Sequence, residues 1–262
     1  MIVTTAFDSE ENQISKAKNL ASELNLSYYP RHKKSIRFLL ENISTKIFVV
    51  NKFRGLSYYE DNETEVFFHP NMAFLRIKQL KSGQNDSFVA ACQLKEGMAF
   101  FDGTLGLGSD SLVASFVVGN RGKVVSVEKS FPLATVVKEG LKFYENNHPI
   151  WKPIIGHLNI ENKDNLDYLK TCPDKSFDVV YFDFMFNKPV EGSKGIKVIS
   201  SLAVRDVITK EHVVEAIRVS RKRVVVKSGY GDDILDELGF KMDKKNQKRH
   251  FFYGVIEIKE EF

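Results

Sequence analysis

The stretch Phe101-Asp102-Gly103-Thr104-Leu105-Gly106-Leu107-Gly108-Ser109-Asp110 decides how the rest of this chain reads. Met98–Phe101 ahead of it is an apolar run with strand character. Behind it, Ser109 to about Val118 has the pattern of a helix, closed by the C-cap signal Gly119–Asn120. Strand, acid, glycine-rich turn and helix N-terminus thus follow in order. Glycines let a backbone approach a ligand closely and take positive φ where a turn needs it. At the carboxyl end of the first strand of a parallel sheet, such a loop faces the ligand crevice. A dinucleotide site would want GxGxxG, but the third residue after Gly108 is Ser111. The loop instead has the form Asp-x-x-x-Gly-x-Gly, and a carboxylate there suits an amino-acid ammonium better than a pyrophosphate. The plain alternative is a tight strand-to-helix turn with no ligand.

Moving outward, Lys123–Val127 is the next strand and ends at Glu128, and Pro132 opens a long helix to about Tyr144. Further strands are expected at Leu158–Glu161, Phe177–Phe182 and Arg223–Lys227, with helical segments between them. That alternation implies right-handed crossovers and a mostly parallel, doubly wound α/β sheet. The end differs: Phe240–Met242 and Phe251–Ile258 read as strands joined by a polar turn, an antiparallel hairpin. Residues 1–95 read as a small α+β module ahead of the main domain, 96–262. There, Ile14, Ala17, Leu20, Ala21 and Leu24 recur at helical spacing behind Ser9, an expected N-cap. A short helix begins near Ser35, short strands follow at Ile47–Val50, Leu56–Tyr59 and Val66–Phe68, and Asn71–Leu80 reads as helix.

Composition narrows the class. The 262 residues are 43% hydrophobic and 27% charged, enough apolar content for a sizeable core and too little charge for disorder. With 21 Phe, 9 Tyr and 1 Trp, the core is aromatic-rich. Lys and Arg number 38 against 34 Asp and Glu, a net +4 that permits an anionic partner without demanding one. Cys92 and Cys172 are the only cysteines and form neither a zinc nor a disulfide framework. His32, His157, His212 and His250 lack metal-ligand spacing, so no metal is expected. No apolar run approaches the roughly 20 residues of a membrane helix, and Met1–Asn12 lacks a signal-peptide pattern. A soluble, cytoplasmic protein is the expectation.

Three acidic positions extend the site. Glu128 stands 26 positions after Asp102 at the end of the second strand, where a carboxylate can bind both hydroxyls of a ribose. Asp164 and Asn165 follow the third strand and read equally as adenine-edge contacts or as a helix N-cap. The fourth strand delivers Asp183-Phe184-Met185-Phe186-Asn187. An aspartate there can accept a hydrogen bond from an exocyclic amine, and Phe186 can stack on a flipped base. The competing role for Phe184 and Phe186 is core packing.

With these motifs the chain resembles class I S-adenosylmethionine (SAM)-dependent methyltransferases, and within them the RsmJ family of 16S ribosomal RNA guanine-N2 methyltransferases. The resemblance covers about Phe100 to Ile258. It rests on Asp102–Asp110, Val127-Glu128-Lys129, Asp183-Phe184-Met185-Phe186 and Lys222-Arg223-Val224-Val225-Val226-Lys227. It implies a Rossmann-like sheet with a terminal antiparallel hairpin, S-adenosyl-L-methionine as cofactor, and ribosomal RNA or the small ribosomal subunit as partner. By the resemblance, the cofactor would be held by Asp102, Gly103, Thr104, Gly106, Gly108, Ser109, Asp110, Glu128, Lys129, Asp164, Asn165 and Asp183. Asp183 would hold the acceptor amine and Phe186 would stack on its base. The family pattern has Pro after the fourth-strand Asp, where this chain has Phe184, and a second Pro where it has Asn187. The amino-terminal module resembles an uncharacterised branch of similar bacterial proteins.

Three basic clusters are candidate RNA contacts, although each taken singly reads more readily as an ordinary solvated face. Between Tyr28 and Arg54, the basic residues Arg31, Lys33, Lys34, Arg37, Lys46, Lys52 and Arg54 stand against one acid, Glu41. Lys241–Arg249 is a second cluster, and Arg218, Arg221, Lys222 and Arg223 are a third. Asn187–Ser201 is long for a strand-to-helix loop and reads as a lid or substrate loop, or as a disordered insertion. Two rival functions stay open: methylation of DNA, protein or a small molecule, and a non-catalytic SAM- or RNA-binding module.

Overall fold

The computed structural model describes residues 1–184, 207–229, 234–242 and 251–259. At the front, β1 (Ile2–Thr5), β2 (Ser27–Tyr28), β3 (Ile47–Asn51), β4 (Gly55–Tyr59) and β5 (Glu65–Phe67) form a sheet in the order β2-β1-β3-β4-β5. The first of these pairs in parallel with β2 and β3, whereas β3, β4 and β5 run as an antiparallel meander. Helix α1 (Glu11–Glu23) joins β1 to β2, and α2 (Ile36–Asn42) precedes β3.

Two local expectations need correcting. The strand β1 is absent from the sequence reading, yet all of its residues are buried between β2 and β3. Four residues are too few to show a period, and burial on both faces removes the alternation that marks a half-exposed strand. Helix α1 starts one residue later than expected. Glu10 is its N-cap, with its N–H donating to the Gln13 side chain at 3.0 Å, while the Ser9 hydroxyl turns back to the Ala6 carbonyl.

Helices α3 (Asn71–Lys81) and α4 (Ser87–Cys92) lead to the second sheet, built from β6 (Ala99–Asp102), β7 (Lys123–Val127), β8 (Leu158–Glu161), β9 (Phe177–Phe182), β10 (Ser220–Gly229), β11 (Lys241–Met242) and β12 (Phe251–Glu257). The order is β11-β12-β10-β9-β6-β7-β8. Strands β8, β7, β6, β9 and β10 are mutually parallel, and β12 runs antiparallel to β10 and to β11. This is the Rossmann-like sheet with a reversed terminal strand. Strand β9 is buried along its whole length, as its near-continuous apolar run requires of a central strand. Helices α5 (Ser109–Val118), α6 (Phe131–Asn147), α7 (Lys152–Ile155), α8 (Asn165–Thr171), α9 (Lys210–Val219) and α10 (Ile234–Glu237), with a 3-10 turn at Pro149–Trp151, complete the described elements.

The chain winds outward from β6 through β7 and β8, then returns to β9 and winds the other way. The loops after β6 and β9 therefore part at a switch point, where open α/β sheets bind ligands. Register puts Asp102 beside Tyr181, so the glycine-rich loop and Asp183 emerge as neighbours.

The two sheets share one core. A single apolar cluster joins Val3, Phe48, Tyr58 and Phe68 of the front sheet to Phe100, Leu133 and Tyr181 of the rear part. Helix α6 lies against β4 and β5, and Gly140 in its middle brings the helix backbone onto Phe68. Among the described residues, no helix is long and apolar enough to cross a membrane.

Candidate active site

The glycine-rich loop is tied across three strand ends. Gly103 N–H donates to the Tyr181 carbonyl at 2.8 Å, and Leu105 N–H donates to the Val127 carbonyl at 3.0 Å. Gly106 and Gly108 take φ of +53° and +75°, left-handed values that turn the chain into α5 and that side chains rarely adopt. Asp102 is 1% exposed beneath this loop. Its carboxylate accepts from Thr104 N–H at 3.0 Å and from the Ser111 hydroxyl, which also contacts the Ser126 hydroxyl at 2.8 Å. Asp102 thus shapes the loop from below.

Burial pushes the Asp102 carboxyl up to about 7, against the Ser111 and Thr104 hydrogen bonds that favour its charged form. A carboxyl with a raised folded pKa holds its proton more tightly in the native than in the unfolded chain. Its contribution is therefore most favourable below the unfolded value near 4, falls as pH climbs to about 7, and stays unfavourable above. The full difference is about 4 kcal/mol at roughly 1.4 kcal/mol per pKa unit. Asp102→Asn, nearly isosteric, is expected to raise the unfolding midpoint at pH 8 and to flatten its decline between pH 5 and 8. Parallel pH profiles for parent and variant in denaturant titrations would contradict this assignment.

Glu128 sits at the end of β7, 8% exposed. It accepts from Gly106 N–H at 3.1 Å and from Ser130 N–H at 2.9 Å, so it joins the loop to the start of α6. Asp164 is the N-cap of α8, accepting from Leu166 and Asp167 N–H, and pairs with Lys129 at 2.9 Å. Asn165 is a buried strut: its amide donates to the Gly103 carbonyl at 3.0 Å, and its oxygen meets His212 at 3.0 Å. The structure thus gathers Asp102, Glu128, Lys129, Asp164 and Asn165 around the loop, but commits Asn165 to holding it.

On the other side of the crevice, Asp183 N–H donates to the Thr104 hydroxyl at 2.6 Å, and Asp183 Oδ2 pairs with Lys227 Nζ at 2.5 Å. About a third of the Asp183 side chain, 32%, stays accessible. Burial raises its carboxyl above the ordinary range, while Lys227 opposes that shift. Asp110, in the first turn of α5, accepts from Tyr181 OH at 2.8 Å and from Arg76 of α3 at 2.5 Å. Arg76 also forks onto Asp86 at 2.8 and 3.1 Å and reaches the Ser109 hydroxyl at 3.4 Å. The amino-terminal part therefore clamps the helix that follows the loop. Phe186, the expected stacking residue, lies outside the described residues, as does the expected lid at Asn187–Ser201.

Arg76, Lys227 and Tyr253 were not singled out as site residues from sequence. Lys227 carried one local signal, its place at the end of the Val224–Val226 run. Arg76 carried none, since its contact with Asp110 spans 34 positions.

The basic clusters change meaning. In the first, Arg37 pairs with Glu41, Lys46 with Glu60, Lys52 with Glu10 and Arg54 with Glu65, while Arg31 donates to the carbonyls of Thr5 and Lys34. Three acids from outside the run, Glu10, Glu60 and Glu65, cut its excess of basic over acidic residues from six to three. In the third, Arg218 pairs with Asp174 and Glu215, Arg221 and Lys222 with Asp178, and Arg223 with Glu257. These residues fasten the amino end of β10, away from the crevice. Residues 243–250 of the second cluster lie outside the described residues.

The site fits S-adenosylmethionine by the chemistry of its groups. Glu128 borders the crevice beside the glycine-rich loop, a carboxylate placed for a ribose diol or an ammonium, while Asp183 and Asp110 are offset by Lys227 and Arg76 and Asp102 lies beneath the loop. A Cβ added at Gly106 would point into open space, its nearest neighbour the Thr104 carbonyl at 4.0 Å, so the loop leaves room beside it.

Comparisons with known proteins agree with this fit. A family model described as "Putative SAM-dependent methyltransferase" matches residues 39–253. A Bacillus subtilis protein, the uncharacterized protein YpiP, is 37% identical over 256 residues, covering 98% of this chain and 99% of its own. A Francisella tularensis subsp. novicida protein named ribosomal RNA small subunit methyltransferase J is 26% identical over 195 residues, covering 71% of this chain and 73% of its own. The crystal structure of a SAM-dependent methyltransferase from Neisseria gonorrhoeae superposes with a TM-score of 0.60 at 14% identity, covering 100% of this chain and 98% of that one, a likeness of fold.

Proposed function

This chain belongs to the SAM-dependent methyltransferase family, and we propose that its acceptor is the exocyclic N2 amine of a guanine in 16S ribosomal RNA. S-adenosylmethionine is the cofactor, and when bound it supplies an already activated methyl group. The task of the protein is then alignment. The loop from Asp102 to Asp110, with Glu128, would hold the cofactor, and Lys129 and Asp164 would fix the rim of its site.

The observation that supports the guanine amine most is Asp183. It stands at the carboxyl end of β9, its main chain is anchored to the cofactor loop through Thr104, and Oδ1 takes no hydrogen bond among the described residues. That oxygen is available to accept from an N2–H and so orient the nitrogen lone pair. Its raised pKa makes it a better proton acceptor than an exposed aspartate. The ribosomal RNA methyltransferase J relatives support an RNA acceptor and, with it, a cytoplasmic protein acting on the small subunit. The amino-terminal part, residues 1–95, would take part in RNA contact through the basic residues between Arg31 and Arg54, whose ion pairs lie at the surface.

The test is transfer of radiolabelled methyl from SAM to small ribosomal subunits from cells lacking this gene, beside free 16S rRNA, DNA and cell protein. Label in rRNA that digests to N2-methylguanosine is expected. Label confined to DNA or protein, or SAM binding without any transfer, would remove the RNA acceptor.

A further inference from the structure

The ion pair between Lys227 and Asp183 has more capacity than one bond uses. An ammonium carries three N–H donors, and among the described residues only Asp183 takes a hydrogen bond from Lys227. The Nζ atom also lies 5.2 Å from the centre of the Phe251 ring. Lys227 faces a cavity of about 300 Å³ whose wall includes Arg76, Asp110, Phe251 and Tyr253. Of the two cations there, Arg76 is already engaged with Asp86, Asp110 and Ser109, which leaves Lys227 as the one with most of its donors to spare.

We infer that Lys227 and Asp183 together read the edge of the acceptor base, with Lys227 donating to a ring carbonyl oxygen, and that this selects guanine. The inference rests on the guanine acceptor proposed above and adds the group that distinguishes it. Along the pair, the protein offers a donor at Lys227 Nζ, an acceptor at Asp183 Oδ2 and a second acceptor at Oδ1. The pairing edge of guanine offers the complement in the same order: the O6 acceptor, the N1–H donor and the N2–H donor. A flipped base is read along this edge. Adenine presents an amine to the ammonium and a bare N1 to the carboxylate, so both contacts repel. Cytosine inverts every position, and uracil matches the first two but sets a carbonyl against Oδ1. Only guanine brings an amine to Oδ1 while the other two contacts hold. Phe251 and Tyr253 stand beside Lys227 at that cavity, since β12 brings Tyr253 into register with Lys227.

The test uses the full-length protein and a synthetic RNA carrying the nucleotide labelled in the transfer assay, with either guanine or 6-thioguanine there. The thio analogue keeps N1–H and the 2-amine and replaces only the carbonyl oxygen, by a weaker acceptor. The parent protein is expected to lose about tenfold or more in kcat/KM on 6-thioguanine. Lys227→Met, slower on both RNAs, is expected to show less than about a threefold difference between them. Lys227→Arg keeps the charge beside Asp183 and is expected to retain the preference for guanine. SAM affinity and thermal unfolding establish that each variant is folded.

A parent protein indifferent to the sulfur substitution overturns the inference without reference to any variant. So does a Lys227→Met protein that keeps the parental ratio, because a merely structural ion pair would slow both RNAs alike. In both cases label at a guanine amine leaves the guanine acceptor standing. If the parent labels no guanine amine in RNA, the acceptor and the role of Lys227 fall together.

Discussion

Replacing Asp183 by alanine is expected to lower methyl transfer by about 10²- to 10³-fold while SAM affinity stays within about threefold. The split follows from where the residue sits. Its main chain anchors to Thr104, a contact that alanine retains, so the cofactor loop keeps its support. Its carboxylate lies on the acceptor side, paired with Lys227 at 2.5 Å. A neutral guanine amine is a weak nucleophile, so holding its lone pair in line governs turnover far more than cofactor affinity. Alanine also leaves the half-buried Lys227 ammonium without its partner, at a cost of about 1–3 kcal/mol in stability once solvent screening is counted. Asp183→Asn is therefore the companion variant: it keeps an oxygen for Lys227 but loses the charge, and its turnover is expected to fall between the parent and alanine. The readout is single-turnover transfer beside equilibrium SAM binding. Undiminished transfer by a folded Asp183→Ala protein would remove the residue from the chemistry.

The second large effect is on stability. Gly140→Ala is expected to destabilise the protein by about 2–3 kcal/mol, although alanine in a helix interior is favoured over glycine by roughly 1 kcal/mol. A Cβ at residue 140 would stand 2.2 Å from Phe68 Cβ and 2.6 Å from its ring. Phe68 is 1% exposed and has nowhere to go. Because the nearest atom is Cβ and not the tip of the ring, trimming Phe68 to alanine would not relieve the clash. Helix α6 must move away from β5, and the shared core opens along that seam. Thermal unfolding should show a midpoint lower by about 4–12 °C for such a loss in a chain of this size. An unchanged midpoint would mean that the helix and the front sheet are not held this closely.

What the sequence made legible was local. The loop from Asp102 to Asp110 states its strand, turn and helix within ten consecutive positions, and the apolar run Phe177–Phe182 marks a central strand by itself. The terminal hairpin could be read the same way, from two strand-like runs and a turn. What could not be read depends on partners far along the chain. Seven basic residues against one acid look like an anion-binding face until the β3–β4 pairing brings Glu60 to Lys46 and β5 brings Glu65 to Arg54. Likewise, Arg221 and Lys222 look exposed until the β9–β10 pairing sets Asp178 beside them. Asp164 offered two roles at the sequence level, and its position before α8 makes it the helix cap. The Arg76 clamp is invisible for the same reason as those ion pairs: counting charges along a chain cannot report which are already neutralised.

The seam between α6 and the front sheet also has a consequence for how the chain is made. Phe68 leaves the ribosome about seventy residues before Gly140, the position against which it packs. At translation rates of about 5–20 residues per second, the interval is on the order of 4–14 s. Throughout it the front sheet is already synthesised, with one wall of its core still missing. The nascent chain thus carries Phe48, Tyr58 and Phe68 uncovered, a sticky intermediate set by the order of synthesis alone. Completion of the first sheet is then timed by the helix that belongs to the second.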